Sequence, residues 1–171
     1  MAEVKYKIYI TRDLSLDMSE IVLVPAEICH SEIIWEWRND PITRKMFVNG
    51  EKVSWEEHAN WYKKVLIDSC RKLYLGEESG IPIGLVRFDK CDNEEYVFEV
   101  SINISPACRG KGFGKQLLIN GIRRLLKEVE NCKSIRAEVK KDNETSNTLF
   151  KSCGFIFIED KLEMNTYELF I

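Results

Sequence analysis

The sequence predicts a single α/β (α+β) domain with one mixed, mostly antiparallel sheet of about six to eight strands and about four helices on its faces. Three observations predict this class. The chain has 171 residues, which fits one domain of ordinary size. Short runs of alternating or continuous apolar residues are interleaved with segments of helical period. No repeat, low-complexity tract or Pro/Ser-rich linker divides residues 1–171.

The N-terminus predicts strands rather than a leader. Residues 5–10 alternate polar and apolar side chains, so residues 1–20 could add an extra N-terminal strand. An apolar run over 21–24, ended by Pro25, predicts another strand. The start MAEVKYKIYI lacks a basic end followed by an apolar block, and no apolar run nears the roughly 20 residues that span a bilayer. We therefore expect a cytoplasmic protein with no membrane partner.

Two helices are predicted next. Ser31 precedes a helical pattern over 32–38, which should stop before Pro41 because the residue before a proline is pushed out of helical geometry. Ser54 and Glu57 form a capping box, and apolar residues at near-helical spacing follow it. The segment between the two helices is expected to be a loop.

The rest of the chain predicts an antiparallel meander and then alternating helices and strands. Three strand-like runs over 71–76, 81–89 and 96–104 form the meander, with a Glu-Glu-Ser-Gly turn between the first two. A helix with one apolar stripe follows Pro106. After it the sequence predicts, in chain order, a strand at 135–139, a helix at 143–152, a strand at 154–158 and a closing segment at 167–171.

Charge and cysteine usage bear on the partners. The net charge is -3, and phosphate backbones demand a basic face, so no nucleic-acid partner is expected. The six cysteines include no C-x-x-C pair, and no metal site is expected. Basic residues are nevertheless concentrated between 100 and 127, where no Asp or Glu occurs. This window predicts an anion site.

A glycine-rich turn, Arg109-Gly110-Lys111-Gly112-Phe113-Gly114, lies between a predicted strand and a predicted helix. Such a turn presents free backbone N–H groups and the positive end of the helix dipole to a phosphate. A Walker A loop is excluded, because Arg109 stands in place of its first Gly and Gln116 in place of its Ser or Thr. A dinucleotide fingerprint fits poorly, since Lys115 replaces its third Gly.

The Arg-x-x-Gly-x-Gly pattern of this turn resembles that of the GNAT (Gcn5-related) N-acetyltransferase superfamily. The resemblance extends over about residues 21–171. It includes a segment like the fourth strand of that family, an N-x-x-S pair and a G-F segment, which are residues 99–106, Asn143 with Ser146, and residues 151–155.

The resemblance implies acetyl-CoA (coenzyme A) as the cofactor and a sheet whose strands 4 and 5 are splayed. The pantetheine arm would lie between these strands and pair with the backbone of the fourth, and the glycine-rich turn would hold the pyrophosphate. The cofactor-binding residues implied in this way are Ile102, Asn103, Ile104, Arg109, Gly110, Lys111, Gly112, Phe113, Gly114, Lys115, Asn143, Ser146 and Phe150.

Transfer of acetyl to a primary amine, which the resemblance implies, needs a base and a proton for the leaving thiolate. Glu99 is the candidate base, unless it faces solvent and Ser101 instead holds a water. Many family members have a tyrosine as the acid where Phe150 stands here, so water, Cys153, Ser146 or a tyrosine elsewhere would protonate the thiolate. The departure also fits a non-catalytic acyl-CoA-binding module.

The acceptor site of the family is built from its first two helices. Here segments 35–41 and 56–58 resemble those of bacterial nucleotide-linked amino-sugar N-acetyltransferases of the pseudaminic acid type, and less closely those of ribosomal-protein Nα-acetyltransferases. The expected acceptor is a nucleotide-linked amino-deoxysugar, with a protein N-terminus as the alternative. The expected acceptor-binding residues are Arg38, Met46, His58 and Trp61. Residues 1–20 could add an edge strand, swap between subunits or close a dimer, so a homodimer is one of the arrangements expected.

Overall fold

The structure is a computed structural model that describes residues 21–92 and 94–171, so the strand predicted within 1–20 lies outside the described residues. The described part contains seven strands and five α-helices. In chain order they are β1 (Val22–Pro25), α1 (Ser31–Asn39), α2 (Pro41–Lys45), α3 (Trp55–Ile67), β2 (Arg71–Glu78), β3 (Ile81–Lys90), β4 (Val97–Ile104), α4 (Phe113–Glu128), β5 (Ser134–Lys140), α5 (Glu144–Ser152), β6 (Ile156–Lys161) and β7 (Met164–Phe170).

One mixed sheet contains all seven described strands in the order β1-β2-β3-β4-β5-β7-β6. Neighbouring strands are antiparallel except β4 and β5. These two pair in parallel only over residues 97–99 and 134–136, although β4 continues to Ile104 and β5 to Lys140. The two strands therefore diverge beyond this short contact. The predicted fold class and the predicted splay are both confirmed.

Helices cover the two faces of the sheet unequally. On one face, α4 and α5 pack over the core, and Leu117, Leu118 and Leu125 of the predicted apolar stripe are fully buried. Burial of each such side chain contributes about 1.5–3 kcal/mol. On the other face, α1 and α3 form a smaller core with β2 and β3. The remainder of that second face, which we call the open face, carries Arg136, Glu138, Ile158, Glu159, Lys161, Thr166 and Glu168.

A short additional helix, α2, follows α1 where the sequence predicts only the end of a helix. Pro41 does end α1, but it also occupies the first position of α2, where a proline loses no hydrogen bond because that N–H would be unsatisfied anyway. The carboxylate of Asp40 caps α2 by accepting a hydrogen bond from the Thr43 amide at 2.9 Å. The pattern over 32–38 alone could not show this second helix.

Two strand boundaries near the C-terminus differ from those predicted. Gly154 has a φ of 88°, a left-handed conformation that ends α5, so β6 begins at Ile156 rather than at residue 154. The last strand, β7, begins at Met164 rather than at residue 167. It pairs with both β6 and β5, and this pairing extends the strand toward the preceding turn.

Candidate active site

The divergence of β4 and β5 leaves one edge of β4 open. On its other edge, β4 pairs with β3 along its length. On the β5 side the pairing ends at residue 99, so Ile102, Asn103 and Ile104 have no partner strand there among the described residues. An extended chain that carries amide groups, such as pantetheine, could pair with this edge as an added strand does. The backbone geometry therefore fits the role predicted for these three residues.

The glycine-rich turn has the geometry of an anion site. Gly110 and Gly112 have φ values of 75° and 82°, a region that favours glycine. Gly112 is the N-cap of α4, no side chain caps this terminus, and its first turn contains no acid. Lys111 and Lys115 are exposed beside it, whereas the Phe113 ring is buried, so that residue offers only its N–H. These features fit the pyrophosphate of coenzyme A.

The side chain of Arg109 contacts α2. Its Nη2 donates to Asp40 Oδ2 at 2.7 Å and to Thr43 Oγ1 at 2.5 Å. The Thr43 hydroxyl in turn donates to Asn103 Oδ1 at 3.5 Å. The cationic side chains beside the turn are therefore Lys111 and Lys115, and the pyrophosphate contact predicted for Arg109 stays a prediction.

Helix α5 places the other residues predicted to line the cofactor. Asn143 is its N-cap, and its side chain accepts a hydrogen bond from the Ser146 amide at 3.1 Å. Phe150 is only 3% exposed and packs edge-on against Phe155. The three residues thus cap and pack α5 in this structure. The cofactor contacts predicted for them stay predictions, and α5 lies against α4 where Leu149 approaches Gly114.

Asn147 joins α5 to β5 and β7, a role that the sequence did not predict. Its Nδ2 donates to the carbonyls of Asn143 at 2.7 Å and Lys140 at 2.9 Å. Its Oδ1 accepts from Tyr167 Oη at 2.7 Å and from Asn165 Nδ2 at 2.9 Å. The side chain is buried. This network fixes the end of β5, which forms one side of the splay.

Replacement of Asn147 by Leu is expected to destabilise the fold by about 2–4 kcal/mol, because several buried polar groups would lose their partner at once. Thermal or urea denaturation measures this loss. The control is Thr148→Ala on the exposed side of α5, which should change stability by less than about 0.5 kcal/mol. Equal midpoints for the two variants would contradict a structural role for the network.

Glu99 lies where β4 and β5 begin to diverge. Alternate residues Phe98 and Val100 are in the core beneath α4, so the Glu99 side chain faces the opposite way, toward the open face. Burial by surrounding atoms raises the pKa of Glu99, and the Glu138 and Asp89 carboxylates raise it further, against the effect of nearby arginines. The residue as a whole is nevertheless exposed to solvent, so the alternative in which Ser101 holds a water stays open. A ligand that approaches from the open face could therefore contact a carboxylate of raised basicity.

The wall of the acceptor region consists of α1, α2 and the loop over residues 46–53. Trp35 Nε1 and Asn39 Nδ2 both donate to the Val53 carbonyl, at 2.8 and 2.9 Å, and the Val53 amide donates back to Asn39 Oδ1 at 2.9 Å. Helix α2 bridges the two diverging strands. Its Thr43 contacts Asn103 of β4, and its Lys45 O accepts from Lys140 Nζ of β5 at 3.2 Å. Trp35 and Asn39 thus hold the loop in place, and the cap at Asp40 starts α2.

The four residues predicted to bind the acceptor occupy different environments. His58 is 2% exposed, and its Nε2 lies 2.9 Å from the Ser31 carbonyl, while burial lowers its pKa. This position packs α3 against α1 and leaves no path to a ligand, so the predicted acceptor contact of His58 is not supported. Trp61 is half-buried beneath the Arg87 guanidinium. Arg38 lies in the last turn of α1 and contacts Phe47 and Asn49 of the adjacent loop. Met46 is the C-cap of α2.

Sequence reasoning missed three side chains that the structure brings to this region. Glu138 lies on the open face, and the alternation of apolar residues 135, 137 and 139 in the predicted strand could have revealed it. Arg44 and Thr43 belong to α2, whose existence the pattern did not show. The signal for Arg44 was available, because no acid occurs between residues 41 and 50.

A model of the Acetyltransferase (GNAT) family matches residues 32–155. The chain belongs to this family. It is an acetyl-CoA-dependent N-acetyltransferase. The splayed strands and the uncapped, glycine-rich turn that precedes α4 are the features that fit this cofactor.

Individual relatives agree with this assignment. The chain is 30% identical over 131 residues to "Acetyltransferase PseH" of Campylobacter jejuni subsp. jejuni (strain 81-176), covering 76% of this chain and 80% of that protein. Among solved structures, spermidine N-acetyltransferase from Vibrio cholerae in complex with CoA and spermine has a TM-score of 0.76 at 21% identity, over 90% of this chain and 96% of that one.

RimL, a ribosomal L7/L12 α-N-protein acetyltransferase solved with coenzyme A, has a TM-score of 0.77 at 14% identity, again over 90% and 96% of the two chains. At these identities the structural neighbours show the fold alone. Within the described residues, no helix is both long and apolar enough to cross a bilayer. The cytoplasmic location and the homodimer stay predictions.

Proposed function

We propose that the enzyme acetylates the amino group of a nucleotide-linked amino-deoxysugar. The observation that carries this proposal is a pair of arginines, Arg38 and Arg44, in the wall of the acceptor region. No carboxylate pairs with either of them in the described part of the chain. The diphosphate of a nucleotide sugar would supply the missing negative charge.

The two guanidinium groups are close enough to repel each other. Burial lowers the pKa of Arg38, and the charge of Arg44 lowers it further. Their hydrogen bonds go to backbone carbonyls, from Arg38 Nη2 to Asn49 at 3.2 Å and from Arg44 Nη1 to Gly50 at 3.4 Å. The Arg38 guanidinium also stacks 3.9 Å from the centre of the Phe47 ring. Carbonyl oxygens carry only partial negative charge, so they do not neutralise the two guanidinium groups.

Each arginine also has a buried nitrogen without a hydrogen-bond partner, Nη1 of Arg38 and Nε of Arg44. A buried unpaired donor costs free energy. The loop over 46–53 contacts both guanidinium groups, so it would move to expose these nitrogens to the diphosphate. Two planar guanidinium groups could then bind the two phosphates in bidentate fashion, which a lysine cannot do.

The position of the pair relative to β4 and β5 supports an acceptor that bridges from the wall to the splay. Helix α2 carries Arg44 and contacts Asn103 of β4 through Thr43 and Lys140 of β5 through Lys45. A diphosphate bound at α2 would place the attached sugar over the diverging strands. The sugar amine would then be near Glu99 on the open face.

In this arrangement acetyl-CoA supplies an activated acetyl thioester. Glu99, with its raised pKa, accepts the proton that the attacking amine loses, directly or through a water held by Ser101. A backbone N–H of β4 near Ile102 donates to the acetyl oxygen. Phe150 has no proton to give, and burial keeps Cys153 in the thiol form by raising its pKa. A thiol of raised pKa is a poor proton donor to another thiolate, so water returns a proton to the leaving sulfur.

Mass spectrometry of the purified enzyme with acetyl-CoA and an acceptor mixture tests the proposal. The mixture contains a UDP-linked 4-amino-4,6-dideoxysugar, the same amino sugar without the nucleotide, a peptide with a small N-terminal residue, and spermidine. Acetylation of the nucleotide-linked sugar is expected to be fastest. Acetylation of the peptide or of spermidine alone would contradict the proposal, and binding of coenzyme A without any product would indicate a non-catalytic module.

A further inference from the structure

Arg109 connects the cofactor turn to the acceptor wall. Its Nη2 contacts Asp40 and Thr43, which lie 69 and 66 residues earlier in the sequence. The side chains of Arg109 and Asp40 are 28% and 18% exposed, and Thr43 is 6% exposed. Solvent and salt screen such a partly buried ion pair less than they screen a surface pair. The ion pair between Arg109 and Asp40 therefore remains a favourable contact between the cofactor turn and the acceptor wall in the presence of salt.

This contact is one of those that hold helix α2 in position. The helix has only five residues, and helices of this length are not stable without external contacts. Asp40 serves twice, because Oδ2 accepts from the Thr43 amide as the helix cap and from Arg109 as an ion pair. Helix α2 also makes two contacts with the sheet. Thr43 donates to Asn103 Oδ1 of β4 at 3.5 Å, and Lys45 O accepts from Lys140 Nζ of β5 at 3.2 Å.

The other end of Arg109 belongs to the turn itself. Its backbone precedes Gly110, which has a φ of 75°, and α4 begins four residues later at Phe113. Without a ligand, two positive-φ glycines make this backbone adaptable. A pyrophosphate that binds the amides of the turn would fix the backbone of Arg109, and so restrict where its guanidinium can lie.

We propose that Arg109 is a positioning residue that couples the two substrate sites. When the turn binds the pyrophosphate of acetyl-CoA, the contacts of Arg109 with Asp40 and Thr43 become more persistent, and the acceptor wall formed by α2 is stabilised. By linkage, an acceptor that binds the stabilised wall also strengthens cofactor binding by the same factor. The inference about acceptor binding rests on the proposed placement of the acceptor against α2, whereas the stabilisation of α2 does not.

Hydrogen exchange at the backbone amides of Thr43, Arg44 and Met46 tests the coupling without any acceptor. Desulfo-CoA is the probe, because it retains the pyrophosphate and cannot react. In the unmodified enzyme, saturating desulfo-CoA is expected to slow exchange at these amides at least about fivefold, the lower end of typical coupling between sites. The same measurement at amides in the C-terminal half of α3, which lies away from the glycine-rich turn, serves as an internal reference.

Asp40→Asn is the matched variant, since asparagine caps a helix as well as aspartate but lacks the charge that pairs with Arg109. In this variant the slowing of amide exchange at α2 by desulfo-CoA is expected to disappear. The affinity for desulfo-CoA should change by less than about tenfold. Thr43→Val removes the second contact with little change of shape and provides an independent variant if Asp40→Asn is unstable. Glu130→Gln, at an exposed acid just after α4, is the control and should behave as the unmodified enzyme.

Two results would overturn the proposal. Faster exchange at α2 on addition of desulfo-CoA would mean that Arg109 leaves Asp40 for the pyrophosphate. Unchanged exchange would mean that the turn and α2 are independent. The test is separate from that of the proposed acceptor, because a spermidine or peptide acetyltransferase could show the same stabilisation of α2, and a nucleotide-sugar enzyme could lack it.

Discussion

Replacement of Glu99 by Gln is expected to lower kcat/KM by about 10²- to 10⁴-fold, the range in which a positioned general base contributes. Gln is similar in size and retains hydrogen-bonding capacity, so the binding of both substrates should change much less than the rate. Steady-state kinetics with the preferred acceptor, together with direct measurement of acetyl-CoA affinity, separates the two effects. A rate within about threefold of the unmodified enzyme would exclude Glu99 as the base, because it falls below the smallest effect expected of one.

The pH dependence of the activity is expected to identify Glu99 as the base independently. Because burial, Glu138 and Asp89 raise the pKa of Glu99, the active carboxylate forms at a higher pH than for an ordinary glutamate. Activity should therefore rise with pH through this raised pKa, and the corresponding limb should vanish in Glu99→Gln. Ionisation of the acceptor amine produces a limb that persists in the variant, so the two can be distinguished.

Glu138 offers a second test of the limb of the pH profile that is assigned to Glu99. Glu138→Gln removes the largest charge that raises the pKa of Glu99, so the limb should move to lower pH while activity at high pH is largely retained. Glu159→Gln is the control, since Glu159 lies on the same open face but is not among the charges that act on Glu99. A limb that stays in place in Glu138→Gln would contradict the assigned cause of the shift.

Local patterns were sufficient to predict the framework of the cofactor site. The glycine spacing, the apolar stripe of α4 and the capping box of α3 are each set by neighbours in the sequence, and the structure contains all three. Conformational signals of this kind act over a few residues, which a sequence displays directly. The splay was predicted through resemblance alone, because it depends on where the parallel pairing stops.

Side-chain partners far apart in the chain could not be predicted in the same way. Arg109 was expected beside the pyrophosphate, but its ion pair with Asp40 depends on the short helix α2 that follows Pro41. His58 was expected at the acceptor, but helical phase turns it into the core beside Tyr62. A sequence gives the type of each charge or ring, whereas its partner is set by tertiary packing.

The acceptor wall gives the prediction that bears most directly on specificity. Arg44→Gln is expected to raise the KM for a nucleotide-linked amino sugar about 10- to 100-fold, since a hydrogen bond to a charged group contributes about 1.5–3 kcal/mol. The kcat should change less, because the diphosphate is remote from the reacting atoms and its binding is equal in the ground and transition states. Kinetics at several salt concentrations should show a weaker salt dependence in the variant.

Two controls make this result specific to the diphosphate. Lys45→Gln removes the neighbouring exposed cation and should leave KM nearly unchanged, so a general loss of positive charge is not the cause. The same amino sugar without its nucleotide should bind equally to the enzyme and to Arg44→Gln. A KM that rises equally for both acceptors would instead place the effect in the structure of α2, because a displaced helix would disturb the sugar and the diphosphate alike.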